Sequence, residues 1–337
     1  MIRLGTFSRP GEDRPFPGLV TDADTVVDVS DLAAATSPVA ALAPTTRDLL
    51  AAWDTVLPEL DTRTGGEPLS GLRVHAPIEP GQILQSGANY RTHVIDLAAA
   101  HHAERGTRPE AEIRAEVAEL MDRRAAEGTP YLFIGLPSAV TGPHDDVTIP
   151  AWTQKLDWEL ELVAVIGREA FQVDREHALD HVAAYTIAND LTARDHVFRR
   201  DMPEIGTDWF RGKNGPGFTP LGPWLVASRD VGDVGDLRIR LELNGEVMQD
   251  ETTKDMLFDV AALVAAASEV TPLRPGDLVL TGSPAGNGMA LGRLLRDGDV
   301  MTGTIGLQGD IEGSTPIGER SSTQGFGIQR TRVVAPR

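Results

Sequence analysis

The chain has 337 residues, of which 41% are hydrophobic and 24% charged, a composition typical of a folded globular protein with a sizeable core. Its 50 acidic residues outnumber its 31 lysines and arginines, and the net charge of −19 argues against nucleic acid or an anionic membrane as a partner. The absence of cysteine excludes disulfides, thiol catalysis, zinc fingers and iron–sulfur clusters. Any metal must therefore be held by oxygen or imidazole ligands.

The beginning of the chain and its apolar runs predict where the protein resides. Charged residues interrupt the first segment before the apolar stretch of a secretory signal can form. The longest apolar run, 260–267, is far shorter than the roughly 18 residues that a membrane span requires. We therefore expect a cytoplasmic protein that acts on a small-molecule substrate.

The N-terminal quarter of the chain predicts a separate small unit. Alternating apolar residues predict short strands at 4–7 and 19–29, and apolar residues at helical spacing predict a helix over 45–57. A polar, glycine-containing stretch follows. We expect a small, β-rich N-terminal domain over 1–78 and a catalytic domain over 79–337.

The remainder of the chain predicts more strands than helices. Helical spacing predicts a helix over 110–126, a short one over 174–182 and another over 253–270. Strands are predicted at 131–134, 147–149, 158–166, 183–188, 224–226, 237–243 and 278–281. Because strands and helices do not alternate regularly, the pattern favours a β-rich α+β fold over a doubly wound sheet.

The segment 156–167 carries the strongest chemical pattern. In a strand, Asp157, Glu159 and Glu161 project to one face, and the chain then continues as an apolar run that indicates a buried strand. Carboxylates at the start of a buried strand are the oxygen ligands that Mg²⁺, Mn²⁺ or Ca²⁺ prefers. The alternative is a half-exposed strand with a solvated acidic face.

Four other segments hold candidate site residues. Asp190, at the end of the strand predicted for 183–188, is placed to act as a third carboxylate ligand, although Asn-Asp also turns a chain. His93 and Asp96 share one face of a predicted helix, as a general base and the carboxylate that orients it do, although a histidine at a helix start is more often a surface residue. Lys213, one of three lysines, lies in a Gly/Pro-rich loop, and Ser283 follows a strand in a glycine-rich turn.

Taken together and in order, these segments resemble the motifs of the fumarylacetoacetate hydrolase family. The resembling segments are 87–93, 157–167, 189–195, 213–223 and 280–286. The resemblance implies the family's mixed β-roll with a small N-terminal domain, and a homodimer.

The resemblance also implies roles for individual residues. Glu159, Glu161 and Asp190 match the family's metal ligands, which usually hold Mg²⁺. His93 matches a water-activating histidine, and Asp96 stands where many members have Glu. Both lie on a segment at about 92–127 that matches the family's mobile lid and carries a helical insertion. The matching active-site lysine is Lys213, and the matching substrate-binding residues are Tyr90, Arg194, Gln249 and Ser283.

Two departures from the family pattern bear on the substrate. Gly135 stands where the family usually has a Lys or Arg that meets a substrate carboxylate, and Pro216 replaces an acidic residue in the lysine loop. A buried carboxylate needs a cationic partner. We therefore expect a roomier, less charged pocket and a bulkier or less anionic diketone-type substrate.

The function implied by the resemblance is metal-dependent hydrolysis of a C–C bond in a 1,3-dicarbonyl or acylpyruvate-type substrate. The same chemistry, through a stabilised enolate, serves 2-oxo-acid decarboxylases, isomerases, lyases and hydratases in the family, so these remain alternatives. A non-catalytic binding protein that keeps the fold is a further alternative.

Overall fold

The computed structural model describes residues 1–12, 14–103, 108–307, 311 and 325–336. More residues of this part of the chain lie in strands than in α-helices. The expectation of a β-rich fold that mixes strands and helices without regular alternation is confirmed.

The strands are numbered in chain order. They are β1 (Arg3–Ser8), β2 (Phe16–Val20), β3 (Thr25–Asp28), β4 (Glu67–Pro68), β5 (Arg73–Val74), β6 (Ile83–Gly87), β7 (Tyr131–Gly135), β8 (Val140–Thr141), β9 (Val147–Thr148), β10 (Leu156–Asp157), β11 (Leu160–Ile166), β12 (Val182–Asn189), β13 (Thr192–Ala193), β14 (Thr219–Pro220), β15 (Leu225–Ala227), β16 (Leu237–Leu243), β17 (Glu246–Thr252), β18 (Leu278–Leu280), β19 (Val300–Leu307) and β20 (Gln329–Val334).

The α-helices are shorter in total than the strands. They are α1 (Ser30–Ala34), α2 (Thr46–Ala51), α3 (Trp53–Leu60), α4 (Arg91–Ala103), α5 (Glu110–Glu127), α6 (Trp209–Lys213), α7 (Ser228–Val231), α8 (Val260–Val270) and α9 (Gly288–Leu291). None of the helices in the described ranges is long and apolar enough to cross a membrane.

One large sheet organises the molecule. Within the described residues its order is β4-β3-β2-β1-β15-β12-β11-β18-β6-β7, with β5 paired to β1. Every residue of β11 and β12 is buried, as expected for strands in the middle of a sheet. Because β11 runs antiparallel to β12 and β18, while β18 is parallel to β6, the start of β11 meets the ends of β12, β18 and β6 at one edge. The candidate site residues lie at this edge.

A second sheet, with the order β17-β16-β19-β20-β9, packs its apolar face into the same core as β11. The N-terminal strands β1–β5 do not form a sheet of their own. They continue the large sheet, because β1 pairs with β15 through Arg3 and Val226. The division at residues 78 and 79 therefore crosses a continuous sheet, and two separate domains stay a prediction.

Two of the longer expected helices differ from the structure. The helix expected over 45–57 is two helices, α2 and α3, and Thr45 with Asp48 forms the capping box that begins α2. The helix expected over 253–270 begins only at Val260, after Asp259 caps it. The reason is tertiary: the backbone N–H groups of Leu257 and Phe258 donate to Asn89, which holds this segment out of a helix.

Other differences concern one short helix and three strands. The helix expected over 174–182 is a 3₁₀ turn at Ala178–His181. The strands β17, β19 and β20 were not predicted as strands, and β17 carries so many charged and polar residues that no apolar alternation marks it. Such a strand is stabilised by its neighbours rather than by its own pattern.

Candidate active site

Three carboxylates come together where β11 begins and β12 ends. The backbone N–H of Glu159 donates to the Asn189 side chain at 2.9 Å, and the N–H of Asp190 donates to the Glu159 carbonyl at 2.8 Å. The first pair of the register then places Leu160 opposite Asn189, with Glu161 next in line. As a result, one carboxylate oxygen from each of Glu159, Glu161 and Asp190 lies within 4.8 Å of the others.

Burial disfavours the charged form of the carboxylates in this acidic triad. The exposed fractions of Glu159, Glu161 and Asp190 are 7%, 1% and 1%. Burial, reinforced by the charge of Asp190, raises the pKa of Glu161 well above its ordinary value, and burial also raises the pKa of Asp190. Only at Glu159 do neighbouring cations overcome burial and lower the pKa. The triad is therefore short of positive charge.

Lys213 supplies part of that charge. It ends the short helix α6, is 2% exposed, and donates from Nζ to Glu159 Oε2 and to Asp190 Oδ2, both at 2.5 Å. Burial opposes its charge, but Asp190 and Glu159 outweigh burial and raise the pKa of Lys213. The ammonium group is therefore held charged against two of the three carboxylates.

A divalent cation fits this donor set. Oxygen ligands from carboxylates are what Mg²⁺, Mn²⁺ and Ca²⁺ prefer, and the raised pKa values of Glu161 and Asp190 show that one lysine does not neutralise the cluster. Glu161 is oriented from outside the triad by the Gly282 N–H, which donates to Oε2 at 2.8 Å. Glu159, Glu161 and Asp190 are thus the residues that would hold the metal.

His93 lies beside the triad on α4. The helix begins next to the Asp255 carboxylate, which accepts a hydrogen bond from the Thr92 N–H at 2.8 Å. His93 follows Thr92, is 7% exposed, and has its Nε2 3.7 Å from Glu159 Oε1. Burial outweighs the attraction of Glu159 and lowers the pKa of His93 to about 4. The imidazole is therefore neutral at pH 7 and able to accept a proton.

Asp96 points to a different partner from the one expected. Its carboxylate accepts from Arg114 of α5 at 2.8 Å, which links the two helices of the insertion. A second ion pair between the same helices joins Arg91 to Asp122 at 2.6 Å. The role of Asp96 in orienting His93 stays a prediction.

Asp157 does not belong to the triad, in contrast to the expectation of one strand with three carboxylates on one face. The strand is interrupted between β10 and β11, and Asp157 turns to accept the N–H groups of Gly288 and Met289 at 2.6 and 3.0 Å. Arg194 connects Asp157 to the triad, because it donates from Nε to Asp157 at 2.8 Å and from Nη2 to Glu159 at 2.5 Å.

The other residues expected to bind substrate differ in access. Arg194 and Ser283 line the cavity beside the triad, but Tyr90 and Gln249 are fully buried outside its lining. The Gln249 side chain accepts from the Leu160 N–H at 3.1 Å and donates to Ser283 at 2.9 Å, so it connects the start of β11 to the loop after β18. Roles in substrate binding remain predictions for all four.

Gln85 is a site residue that the sequence reasoning missed. It is 1% exposed on β6, and its Nε2 donates to Asp190 Oδ1 at 2.6 Å. A Cβ at Gly135 on the neighbouring strand β7 would lie 2.9 Å from Gln85 Oε1. The space left by the glycine is thus filled by an amide that braces a triad carboxylate. A lone polar residue in the apolar start of β6 was the available signal.

A cavity of about 180 Å³ opens onto the triad. Its lining includes His93, Lys213 and Arg194 together with an apolar group. We call this group the apolar wall; its members are Val94, Leu97, Tyr131, Phe133 and Trp209.

The family of the chain follows from a comparison with protein families. Residues 82–334 match the model of the fumarylacetoacetate (FAA) hydrolase C-terminal domain. The chain belongs to the fumarylacetoacetate hydrolase family. The resemblance inferred from the ordered motifs is therefore confirmed, and the acidic triad lies within the matched region.

Individual members of the fumarylacetoacetate hydrolase family show how diverse its relatives are. A 2,4-didehydro-3-deoxy-L-rhamnonate hydrolase of Sphingomonas sp. is 36% identical over 239 residues, which cover 70% of this chain and 72% of that protein. A mitochondrial oxaloacetate tautomerase of Xenopus laevis is 39% identical over 190 residues, which cover 56% of this chain and 58% of that protein. The chain spans 50% to 66% of the length of several curated relatives that it matches.

A solved structure supports the expected fold over the whole chain. The fumarylacetoacetate hydrolase from psychrophilic Exiguobacterium antarcticum is 28% identical, with a TM-score of 0.72 and 100% of both chains covered. The fold expected from the resemblance is therefore confirmed.

Proposed function

We propose that the chain is a metal-dependent hydrolase that cleaves a C–C bond in a 1,3-dicarbonyl or acylpyruvate-type substrate. The observation that carries the proposal is a neutral histidine next to a buried acidic triad: His93 Nε2 lies 3.7 Å from Glu159. Hydrolysis requires a base that removes a proton from water, and a buried imidazole with a lowered pKa is unprotonated at pH 7.

The metal has a defined place in this proposal. Glu159, Glu161 and Asp190 would hold a divalent cation, most simply Mg²⁺, with Mn²⁺ or Ca²⁺ as alternatives. When bound, such a cation acts as a Lewis acid that polarises the oxygens of a dicarbonyl substrate.

The residues of the chain then perform the proton and charge chemistry. His93 accepts a proton from water at Nε2, and the resulting hydroxide attacks the acyl carbonyl carbon. The C–C bond to the neighbouring carbon breaks, its electron pair goes to the 2-oxo-acid fragment, and that carbon takes up a proton, so a carboxylic acid and a 2-oxo acid are released. The charged Lys213 stabilises negative charge that develops on the substrate oxygens.

A second candidate is tautomerisation of a 2-oxo acid. It is favoured by the oxaloacetate tautomerase of Xenopus laevis, which is 39% identical to this chain over 190 residues. Tautomerisation needs proton transfer at carbon but no attacking water. Decarboxylation likewise needs no hydrolytic water, so the released products separate these reactions from hydrolysis.

The proposal is tested with purified protein and Mg²⁺. Acetylpyruvate is offered and its loss is followed together with the release of acetate and pyruvate, while oxaloacetate is assayed in parallel for enol–keto exchange and for CO₂ release. Release of acetate and pyruvate in equal amounts supports hydrolysis. Exchange or CO₂ release without hydrolysis of any acylpyruvate contradicts the proposed hydrolase.

The family resemblance also leads us to propose a homodimer. Light scattering during size-exclusion chromatography should give twice the mass of the 36.2 kDa chain. A monomeric mass at micromolar concentration contradicts this proposal.

A further inference from the structure

The cavity beside the triad contains two chemically different groups of side chains. Glu159 and Glu161 of the triad form a charged group with Lys213 and Arg194. The apolar wall, defined above, contributes two aliphatic and three aromatic side chains to the same lining. A substrate bound through its oxygens at the charged group must place its remaining atoms in the rest of this cavity.

The apolar wall is built around stacked rings. Phe133 and Trp209 have ring centroids 4.8 Å apart and planes inclined by 19°, and Tyr131 lies 6.1 Å from Phe133. Tyr131 and Phe133 share a face because they are two residues apart on β7. Trp209 begins α6, the same short helix that ends at Lys213. One side of the stacked pair and the lysine are therefore positioned by the same short helix.

The cations of the cavity are already engaged. Lys213 donates to Glu159 and Asp190, and Arg194 donates to Glu159 and Asp157. The third basic side chain of the lining, His93, has its Nε2 3.7 Å from Glu159 Oε1. Among the described residues that line the cavity, these three are the basic ones, so a second substrate carboxylate would find no uncommitted cation there.

The position that would supply such a cation does not supply one. Gly135 follows Phe133 by two residues on β7, and a Cβ there would lie 2.9 Å from Gln85 Oε1 and 3.0 Å from its Cδ. The neutral amide of Gln85 therefore takes the space. A carboxylate removed from water without a partner is strongly disfavoured, whereas an aromatic ring gains from stacking on aromatic neighbours.

We infer that this site takes a 2-oxo acid or 1,3-dicarbonyl compound whose far end is an uncharged aromatic ring, as in an aroylpyruvate. The ring packs on the Phe133–Trp209 stack while the dicarbonyl oxygens face the triad. This inference rests on the proposed function for the reacting end of the substrate, and it specifies the other end.

The test compares three substrates that share a 2-oxo-acid end. Benzoylpyruvate carries a ring, acetylpyruvate a methyl group and oxaloacetate a second carboxylate. We expect kcat/KM for benzoylpyruvate to exceed that for acetylpyruvate by tenfold or more, and oxaloacetate to be the poorest of the three. Equal values for the two acylpyruvates, or a preference for oxaloacetate, would overturn the inference.

A variant separates stacking from simple hydrophobicity. Phe133→Leu keeps an apolar side chain of similar size, so we expect a folded protein in which the ratio of kcat/KM for benzoylpyruvate to kcat/KM for acetylpyruvate falls at least threefold. Phe171 is 49% exposed and lies outside the cavity lining, so Phe171→Leu is the matched control and should keep the wild-type preference. An unchanged preference in Phe133→Leu contradicts a role for the wall.

Binding measurements distinguish this inference from the proposed function. If none of the three compounds is turned over, the proposed function fails, and isothermal titration calorimetry then compares benzoylpyruvate with oxaloacetate as ligands of the Mg²⁺-supplemented protein. Tighter binding of benzoylpyruvate, weakened in Phe133→Leu but not in Phe171→Leu, supports the aromatic subsite without any turnover. Tighter binding of oxaloacetate overturns it.

Discussion

Replacing Gly135 by alanine tests how tightly the triad is braced. The new Cβ would lie 2.9 Å from Gln85 Oε1, 3.0 Å from Gln85 Cδ and 3.1 Å from Ile83 Cγ2. Since ordinary contacts between nonbonded carbon atoms begin at about 3.5 Å, Gln85 Cδ must move by roughly 0.5 Å. The amide would then be displaced from Asp190, to which it now donates at 2.6 Å.

The structure sets the size of the expected effect. Inserting one methyl group into a packed interior costs about 1–3 kcal/mol of unfolding free energy. Loss of a hydrogen bond that orients a metal ligand typically lowers metal affinity by about 10- to 100-fold. We therefore expect Gly135→Ala to lower the midpoint of thermal unfolding by a few degrees and to weaken Mn²⁺ binding, measured by calorimetry, by about tenfold or more.

Two further variants make this prediction decisive. Gly71→Ala is the control, because a Cβ there meets nothing within 4 Å, and it should leave both measurements unchanged. In a Gln85→Ala background, Gly135→Ala should cost much less stability than in the wild type, because the two closest contacts, both with Gln85, are gone. Wild-type stability and Mn²⁺ affinity in Gly135→Ala, or additive effects in the double variant, would refute the reasoning.

Three other predictions concern His93 and the helices around it. His93→Ala should lower kcat on an acylpyruvate by roughly 10²–10⁴ with Mn²⁺ affinity retained; near-normal kcat would contradict the role of His93 as the base and would favour decarboxylation. In NMR titration of the metal-free protein, His93 should stay neutral from pH 7 to 5, since burial lowers its pKa to about 4; protonation near pH 6.5 contradicts this. Acidification from about pH 6.5 toward 4 should also destabilise the wild type more than His93→Gln, because the unfolded chain binds the proton more tightly than the folded one. Amide exchange in α5 should slow when Mg²⁺ and oxalate are added, as expected for a lid; unchanged exchange would argue against closure.

The sequence was most informative where local pattern and burial coincide. The apolar run after Glu161 indicates a buried strand, and carboxylates next to such a run are not explained by solvation alone. The structure accordingly brings Glu159, Glu161 and Asp190 together. Lys213 joins them, because its loop returns to the same sheet edge. Residues close to the ends of buried strands could therefore be predicted.

Contacts between distant segments could not be predicted from the same patterns. Asn89 holds Leu257 and Phe258 out of the expected helix across more than 160 residues of chain. Likewise, Arg194 engages Asp157, which separates that carboxylate from the triad. Each of these outcomes is decided by a hydrogen bond whose partner no local periodicity identifies.

The substrate expectation illustrates the same limit at Gly135. The sequence showed that a cation is missing there, but not what fills the space. In the structure the space belongs to Gln85, so the glycine does not simply enlarge the pocket. We expected a less charged pocket, and the structure shows that part of its lining is the apolar wall with its Phe133–Trp209 stack.

The central claim is that Glu159, Glu161 and Asp190 hold a divalent cation, and anomalous diffraction from crystals grown with Mn²⁺ tests it most directly. We predict one strong manganese peak within direct bonding distance of all three carboxylates, absent in Glu161→Gln and retained in the control Glu176→Gln, whose side chain is exposed outside the site. A wild-type crystal without that peak, with Lys213 still bridging Glu159 and Asp190, would contradict the account.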